Sequence, residues 1–312
     1  MRKQKNMKTS YKLALLALFI GVVGFAQQDS QYTQYMYNTA NINPAYAGSR
    51  DVLSIFGLYR AQWIGLKGAP KTGAFALHSP ISNSNVGLGL SFVNDKIGPS
   101  SENNISVDFS YMIRLSEEFN LAFGLKTTAN LLNVDYTKLD IYDPNDPRFQ
   151  SNIEDSFTPN IGAGAFLYSK DTYVGLSVPA FLETKHYQDN GNYSTARQNM
   201  HFYLMGGHVF ELNPDLKFKP SLLFKIAEGA PLQADFSANF LFNEKITAGV
   251  AYRWSAAVSA MVGFQLTDGL FAGYAYDAET TRLATYNSGS HEIFLRFELF
   301  KKYDKVMTPR FF

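Results

Sequence analysis

The feature that most constrains this chain is the alternation of apolar and polar side chains, residue by residue, through most of the sequence after residue 50. From Phe119 to Leu131, one face carries Phe119, Leu121, Phe123, Leu125 and Leu131. The other carries Asn120, Gly124, Lys126, Thr128 and Asn130. Successive side chains of a strand point to opposite faces, so a period of two specifies a strand with one greasy and one wet side. Ile105, Val107, Phe109 and Tyr111 stand in the same way against Ser106, Asp108, Ser110 and Arg114. Phe236 and Phe240 oppose Gln233, Asp235, Ser237 and Asn239, and Ile293, Leu295, Phe297 and Leu299 oppose Glu292, Arg296 and Glu298.

A soluble sandwich also alternates, and two physical arguments separate the cases. The runs reach about ten residues, the length a tilted membrane strand needs, whereas soluble strands average nearer five or six. Their polar faces carry full charges, which on a lipid-facing side would cost about 2–4 kcal/mol near the midplane and in a barrel point into a wet lumen. The fold class expected is therefore all-β: a transmembrane antiparallel β-barrel of about 14 strands. The strands fall near 52–60, 71–79, 85–94, 104–114, 118–132, 158–169, 171–180, 198–211, 216–226, 231–242, 245–254, 256–266, 269–276 and 289–300. Connections after even-numbered strands read as tight turns, at Ser82-Asn83, Ser116-Glu117, Ser169-Lys170, Asn213-Pro214, Asn243-Glu244 and Thr267-Asp268. Connections after several odd-numbered strands are long, notably 133–157, 181–197 and 277–288. Outer-membrane barrels are built with short periplasmic turns and long extracellular loops, which puts both chain ends on the periplasmic side.

The beginning of the chain reads as an export signal. Arg2, Lys3, Lys5, Lys8 and Lys12 form a basic region, Leu13 to Val23 an apolar core, and Gly24-Phe25-Ala26 a small-residue cleavage site. The uncharged run ending at Ala26 is too short to span a bilayer comfortably. The organisation expected is a signal peptide over 1–26, a periplasmic N-terminal segment over 27–50, the barrel over 51–300 and a periplasmic tail over 301–312. Residues 27–50 are rich in Tyr, Gln and Asn and contain Asn43-Pro44, a poor fit to strand or helix.

Composition removes several function classes. Lys and Arg number 28 against 27 Asp and Glu, so no polyanion is indicated and nucleic acid is not an expected partner. With no cysteine there is no disulfide, thiolate metal site or cysteine nucleophile. Phe at 26 and Tyr at 19, with a slightly negative mean hydropathy, suit a wall that meets lipid on one side and water on the other. The five histidines show no H-E-x-x-H spacing, and no G-x-S-x-G elbow is present. His291 and Glu292 are neighbours on a strand and face opposite sides. Glycines at 87, 89, 162 and 164 sit in strand patterns, where glycine marks bends or close packing. No catalytic residue and no cofactor is expected.

Three groups of side chains stand out. The register turns Asp108, Lys126, Lys225, Asp235, Arg253, Glu292 and Arg296 into the lumen, together with Lys219 and Glu298, as a mutually neutralising network or a surface that cargo or solutes would meet. Asp140, Asp143, Asn145 and Asp146 offer oxygens for calcium in the loop 133–157, although Asp143-Pro144 and Asp146-Pro147 are also ordinary turn formers. Tyr59, Trp63, Tyr111, Tyr168, Tyr173, Tyr252 and Trp254 lie near strand ends and fit interfacial girdles.

The segment Gln31-Tyr32-Thr33-Gln34-Tyr35-Met36-Tyr37-Asn38, followed by Asn43-Pro44-Ala45-Tyr46-Ala47-Gly48-Ser49, resembles the opening signature of the PorP/SprF family. The likeness continues through Arg60-Ala61-Gln62-Trp63, Pro70-Lys71-Thr72, Asp95-Lys96-Ile97-Gly98-Pro99, Asp146-Pro147-Arg148-Phe149, Tyr274-Ala275-Tyr276-Asp277 and Ser290-His291-Glu292. Members are outer-membrane proteins of the type IX secretion and gliding machinery of Bacteroidota. The resemblance implies a barrel that works with secreted, adhesin-like cargo bearing a type B C-terminal sorting domain. It also implies periplasmic contacts with other secretion or gliding components, including an OmpA-like peptidoglycan-binding protein. Tyr32, Gln34, Tyr35, Asn38, Asn43, Pro44, Tyr46 and Gly48 of the signature are the expected plug or partner-docking residues. The tail 301–312 is a second such candidate. The competing expectation is a porin-like diffusion channel for small solutes.

Overall fold

The computed structural model describes residues 31–140, 146, 151–182, 184–185, 197–198 and 200–299. The expected signal peptide and the tail 301–312 lie outside the described residues.

Fourteen antiparallel strands close into a barrel. In chain order they are β1 (Leu53–Ala61), β2 (Lys71–Pro80), β3 (Val86–Ile97), β4 (Ser100–Arg114), β5 (Asn120–Val134), β6 (Ile153–Tyr168) and β7 (Thr172–Val178). Next come β8 (His201–His208, resuming after Val209 as Phe210–Asn213), β9 (Leu216–Ala227), β10 (Gln233–Phe242) and β11 (Ile246–Arg253). The last three are β12 (Ala257–Gln265), β13 (Leu270–Glu279) and β14 (Ser290–Leu299). Each strand pairs with its neighbours in sequence, and β14 returns to β1 in register from Leu53↔Leu299 to Ala61↔His291. Closure leaves no open sheet edge, the condition for a sheet to cross hydrocarbon. Among the described residues no helix is long and apolar enough to cross a membrane.

The two faces follow the period of two. On β4, Ile105, Val107, Phe109 and Tyr111 are 43–54 % exposed, while Ser106, Asp108 and Ser110 are buried. On β14, Ile293, Leu295, Phe297 and Leu299 face outward, and Glu292, Arg296 and Glu298 are buried inside. The outer apolar face is exposed, so lipid is the phase that suits it.

Several boundaries differ from the sequence reading. β4, β5 and β6 run for 15, 15 and 16 residues, beyond what crossing the bilayer needs. The polar stretch Ser100–Asn104 precedes the apolar band of β4, so this part of the wall rises above it. The long loop expected over 133–157 shrinks accordingly to 135–152. The connections 98–99 and 254–256, on the same mouth, are tight. Loop length on that mouth is concentrated in 62–70, 135–152, 179–200 and 280–289.

Two of the expected girdle residues also change place. Tyr168 and Tyr173 are buried, and both rings pack beside Phe166 inside the barrel. They sit opposite each other at the β6–β7 turn, and their strand positions have inward parity. A position near a strand end does not by itself distinguish the two faces of the wall. Tyr59, Tyr111, Tyr252 and Trp254 are exposed on the outer side, and Trp63 is half-buried at a mouth.

Candidate functional site

Residues 31–50, expected as a periplasmic segment that either plugs the lumen or docks a partner, lie inside the barrel. A short helix (Thr39–Ile42) and a 3-10 turn (Pro44–Tyr46) break an otherwise irregular path. The segment cannot add to the sheet. Pro44 has no N–H to donate, and the Asn43 side chain accepts from Ala45 N instead, which caps the turn. Several of its polar groups are instead matched to the wall. Gln34, Tyr35, Asn38 and Asn43 are at most 1 % exposed, and Pro44, Tyr46 and Gly48 are also buried. Tyr32 is half-buried at the upper end.

The path has a direction. Gln31 donates to Gln233 at the start of β10 (3.0 Å), on the mouth carrying connections 62–70 and 280–289. Arg50 pairs with Glu298 at the opposite mouth, where β1 begins and β14 ends. The described residues Gln31 and Leu299 thus lie at opposite mouths. Even-strand counting locates the start of β1 but gives no information about which way the preceding residues run.

The upper end is held by charge. Glu292 accepts from the backbone N–H groups of Thr33 and Gln34, both at 2.9 Å. The Thr33 hydroxyl donates to Asp277 (2.6 Å) and accepts from Arg60 (2.6 Å). Arg60 completes the knot through Asp277 (2.6 Å) and Glu292 (3.1 Å). Arg253 bridges the Tyr32 carbonyl (3.2 Å) and Asp235 (2.9 Å), and Tyr35 shares a 3.3 Å hydrogen bond with Ser237. Charge-assisted bonds of this kind are roughly twice as strong as neutral ones, and in a buried site each partner depends on the others.

Below this network, residues 43–48 are held by shape. A Cβ placed on Gly124 would collide with the backbone of Pro44 and Ala45, one on Gly87 with the Ala47 carbonyl, and one on Gly164 with the Asn43 side chain. These strand glycines let the segment's backbone lie directly on the wall. Around them Asn43 donates to the Ala165 carbonyl (3.0 Å), Ser177 to Ile42 (2.9 Å), Ser110 to Ala47 (2.6 Å) and Gly48 N to His78 (3.2 Å). Between the two ends, Tyr37 stacks on Phe294 at 4.8 Å, with the Lys219 ammonium 5.3 Å and the Arg296 guanidinium 5.8 Å from its ring centre.

All nine charges expected in the lumen are buried there. Lys126 pairs with Asp108 (3.1 Å), Arg253 with Asp235, and Arg296 lies 3.8 Å from Glu298, while Lys225 stands 5.8 Å from the Tyr203 ring centre. The sequence reading missed Thr33, Arg50, Arg60, His78 and Asp277. Arg60 shares its inward face with Phe56 and Leu58, and those apolar groups belong inside because they join one cluster with Tyr37 and Phe294. Arg60 and Asp277 did fall within the quoted family strings, which was the available signal.

Of the calcium candidates, Asp140 is exposed and Asp146 half-buried, and Asp143 and Asn145 lie outside the described residues. No group of three or more potential metal ligands stands together among the described residues. In the same loop Asp135 caps a 3-10 turn, and hydrogen bonds from Thr137 and Lys138 hold its carboxyl below the ordinary range.

No curated protein matches the chain. Solved barrels resemble it at low identity. The monoaromatic hydrocarbon channel CymD is 11 % identical over 90 % of this chain and 96 % of its own, with a TM-score of 0.51. The Acinetobacter baumannii outer-membrane protein Omp33 is 7 % identical over 80 % and 98 %, at 0.48. Likeness at this identity concerns the fold. The model of the type IX secretion system membrane protein family PorP/SprF matches residues 24–297, taking in both the internal segment and nearly the whole wall. This outer-membrane β-barrel belongs to the PorP/SprF family of type IX secretion system membrane proteins.

Proposed function

We propose that this barrel binds one secreted, adhesin-like cargo protein through its type B C-terminal sorting domain and helps export or anchor it. In this reading it also links the cargo to periplasmic type IX and gliding components, among them an OmpA-like peptidoglycan-binding protein, and performs no catalysis. The mouth bearing 62–70, 135–152, 179–200 and 280–289 faces outward and meets cargo, following the usual division of loop lengths. The other mouth, where β14 ends, meets the machinery. The observation that carries this reading is the filled lumen: residues 31–50 are pinned at both mouths by buried hydrogen bonds and ion pairs. A diffusion channel needs a continuous wet path, and a threading channel needs a lumen that can clear. A filled barrel favours attachment at a mouth instead.

The test is a mild detergent extraction of the tagged chain from its own outer membrane, with co-purifying proteins read by mass spectrometry. The expected result is a large secreted protein with a C-terminal sorting domain, together with periplasmic secretion components. A chain that comes out alone and conducts small ions in planar bilayers would make it a porin-like channel and end this reading.

A further inference from the structure

The strand glycines divide into two kinds. At Gly87, Gly124 and Gly164 an added Cβ would strike the internal segment, whereas at Gly57 on β1 and Gly73 on β2 it would meet nothing within 4 Å. These two point outward, because their chain neighbours Phe56, Leu58, Thr72 and Ala74 are all buried inside. Glycine weakens a strand, and where it persists on a surface it often marks the close approach of a ligand or another backbone. Gly57 and Gly73 are diagonal neighbours, since Tyr59 pairs with Gly73 and Gly57 with Phe75. Together they leave a shallow recess on the outer wall, framed by the exposed side chains of Tyr59, Phe75 and Leu295.

Two cations meet at the rim end of this recess. Lys71 opens β2 two residues from Gly73, and the register sets it opposite Lys96 of β3, both exposed on the outward face. Residues directly opposite have Cβ atoms about 4.5–5.5 Å apart, and like charges placed so repel. Neither lysine has a hydrogen bond or ion pair among the described residues. The neighbouring carboxylate of Asp95 turns inward, where the Thr72 hydroxyl donates to it (2.6 Å). Gly98 N donates to the Gly68 carbonyl (2.9 Å), which brings the exposed Lys67 to the same rim. Four residues along each strand from the lysines, Phe75 and Phe92 mark the apolar band, about 13 Å away in the strand direction. Lysines at that height lay their stems along the wall and keep their ammonium groups among lipid headgroups. An inorganic ion would answer the paired charges and leave the glycines unexplained; a neutral apolar chain would do the reverse. We propose that this face holds an anionic, phosphate-bearing lipid, its phosphate between Lys71 and Lys96 and an acyl chain over Gly73 and Gly57. The proposal stands apart from the cargo reading, and neither depends on the other.

The experiment is native mass spectrometry of the intact chain in detergent, offered equal amounts of phosphatidylglycerol and phosphatidylcholine with the same acyl chains. The expected result is one retained lipid, with phosphatidylglycerol favoured roughly tenfold, as two juxtaposed lysines at a lipid surface can supply. The double variant Lys71→Gln with Lys96→Gln should lose that preference, and Lys71→Arg with Lys96→Arg should keep it. Gly73→Leu fills the recess without touching either charge and should weaken retention of phosphatidylglycerol. Lys245→Gln, in a turn at the opposite mouth, should change nothing. Heat-modifiable migration on gels verifies that each variant is folded. Equal retention of the two lipids by the wild-type chain, or a preference that survives the double Gln variant, would overturn the proposal. So would an equal loss with Lys245→Gln, which would mean a diffuse charge effect, or retention indifferent to Gly73→Leu, which would mean a surface ion contact alone. A lipid-free dimer that Gly73→Leu dissolves would overturn it too, by making the occupant a second copy of the chain.

Discussion

The two ends of the internal segment are held by different physics. Residues 31–35 are suspended in a network in which Glu292, Asp277 and Arg60 gather backbone and hydroxyl groups at 2.6–3.1 Å. Residues 43–48 rest on a wall stripped of side chains at Gly87, Gly124 and Gly164, with neutral hydrogen bonds around them. A charge network depends on all of its members, because an unpaired buried charge is expensive. A glycine seat depends on shape alone and is indifferent to charge. The difference teaches that the upper end is sensitive to the loss of any one charge, while residues 43–48 are sensitive to added volume.

Breaking the charged end should have the largest effect. Glu292→Ala removes the acceptor of two backbone N–H groups and one partner of Arg60, and should cost about 3–5 kcal/mol. Denaturant titration in detergent micelles reads this, and Glu292→Gln should recover part of the loss. At the seated end, Gly124→Ala places a methyl group against backbone on both sides of the Pro44–Ala45 bond and should cost about 1–3 kcal/mol. Because the chain contains no cysteine, a single cysteine introduced at Tyr46 would report displacement of the seat as faster thiol labelling in that background. A third effect, of similar size, sharpens the comparison: Thr33→Val deletes one hydroxyl from the network and should cost about 1–3 kcal/mol, as buried partners are left unmatched. Val107→Leu on the lipid face, which has no specific partner to lose, should shift the unfolding midpoint least of all.

How much of this was legible in the sequence depends on which rule the residues obey. The wall was legible because period two is enforced by the phases on its two sides: Val107 and Asp108 must part whatever else happens. The buried positions of Asp108, Lys126, Asp235 and Arg296 follow from that rule alone. β1 was harder to read, since Phe56 and Leu58 are apolar yet inward, a consequence of the aromatic residues that fill the lumen rather than of any local pattern. The same filling draws Tyr168 and Tyr173 inward. The path of residues 31–50 was illegible for a related reason. Several of their polar groups meet residues more than 200 positions away, as in the Thr33 N–H with Glu292 and the Tyr35 hydroxyl with Ser237, and no local propensity encodes such partners. Strand glycines at 87 and 164 were recognisable as close-packing sites, but nothing local named what packs there.

The central claim is that the chain closes its own lumen with residues 31–50. Single-channel recording in planar bilayers tests it most directly, comparing the intact chain with Glu292→Ala and with a chain lacking residues 31–50, each first shown to be folded by heat-modifiable migration. The account predicts a silent intact barrel, intermittent openings for Glu292→Ala and steady ion conductance once the segment is gone. An intact chain that conducts as steadily as the truncated one would contradict it.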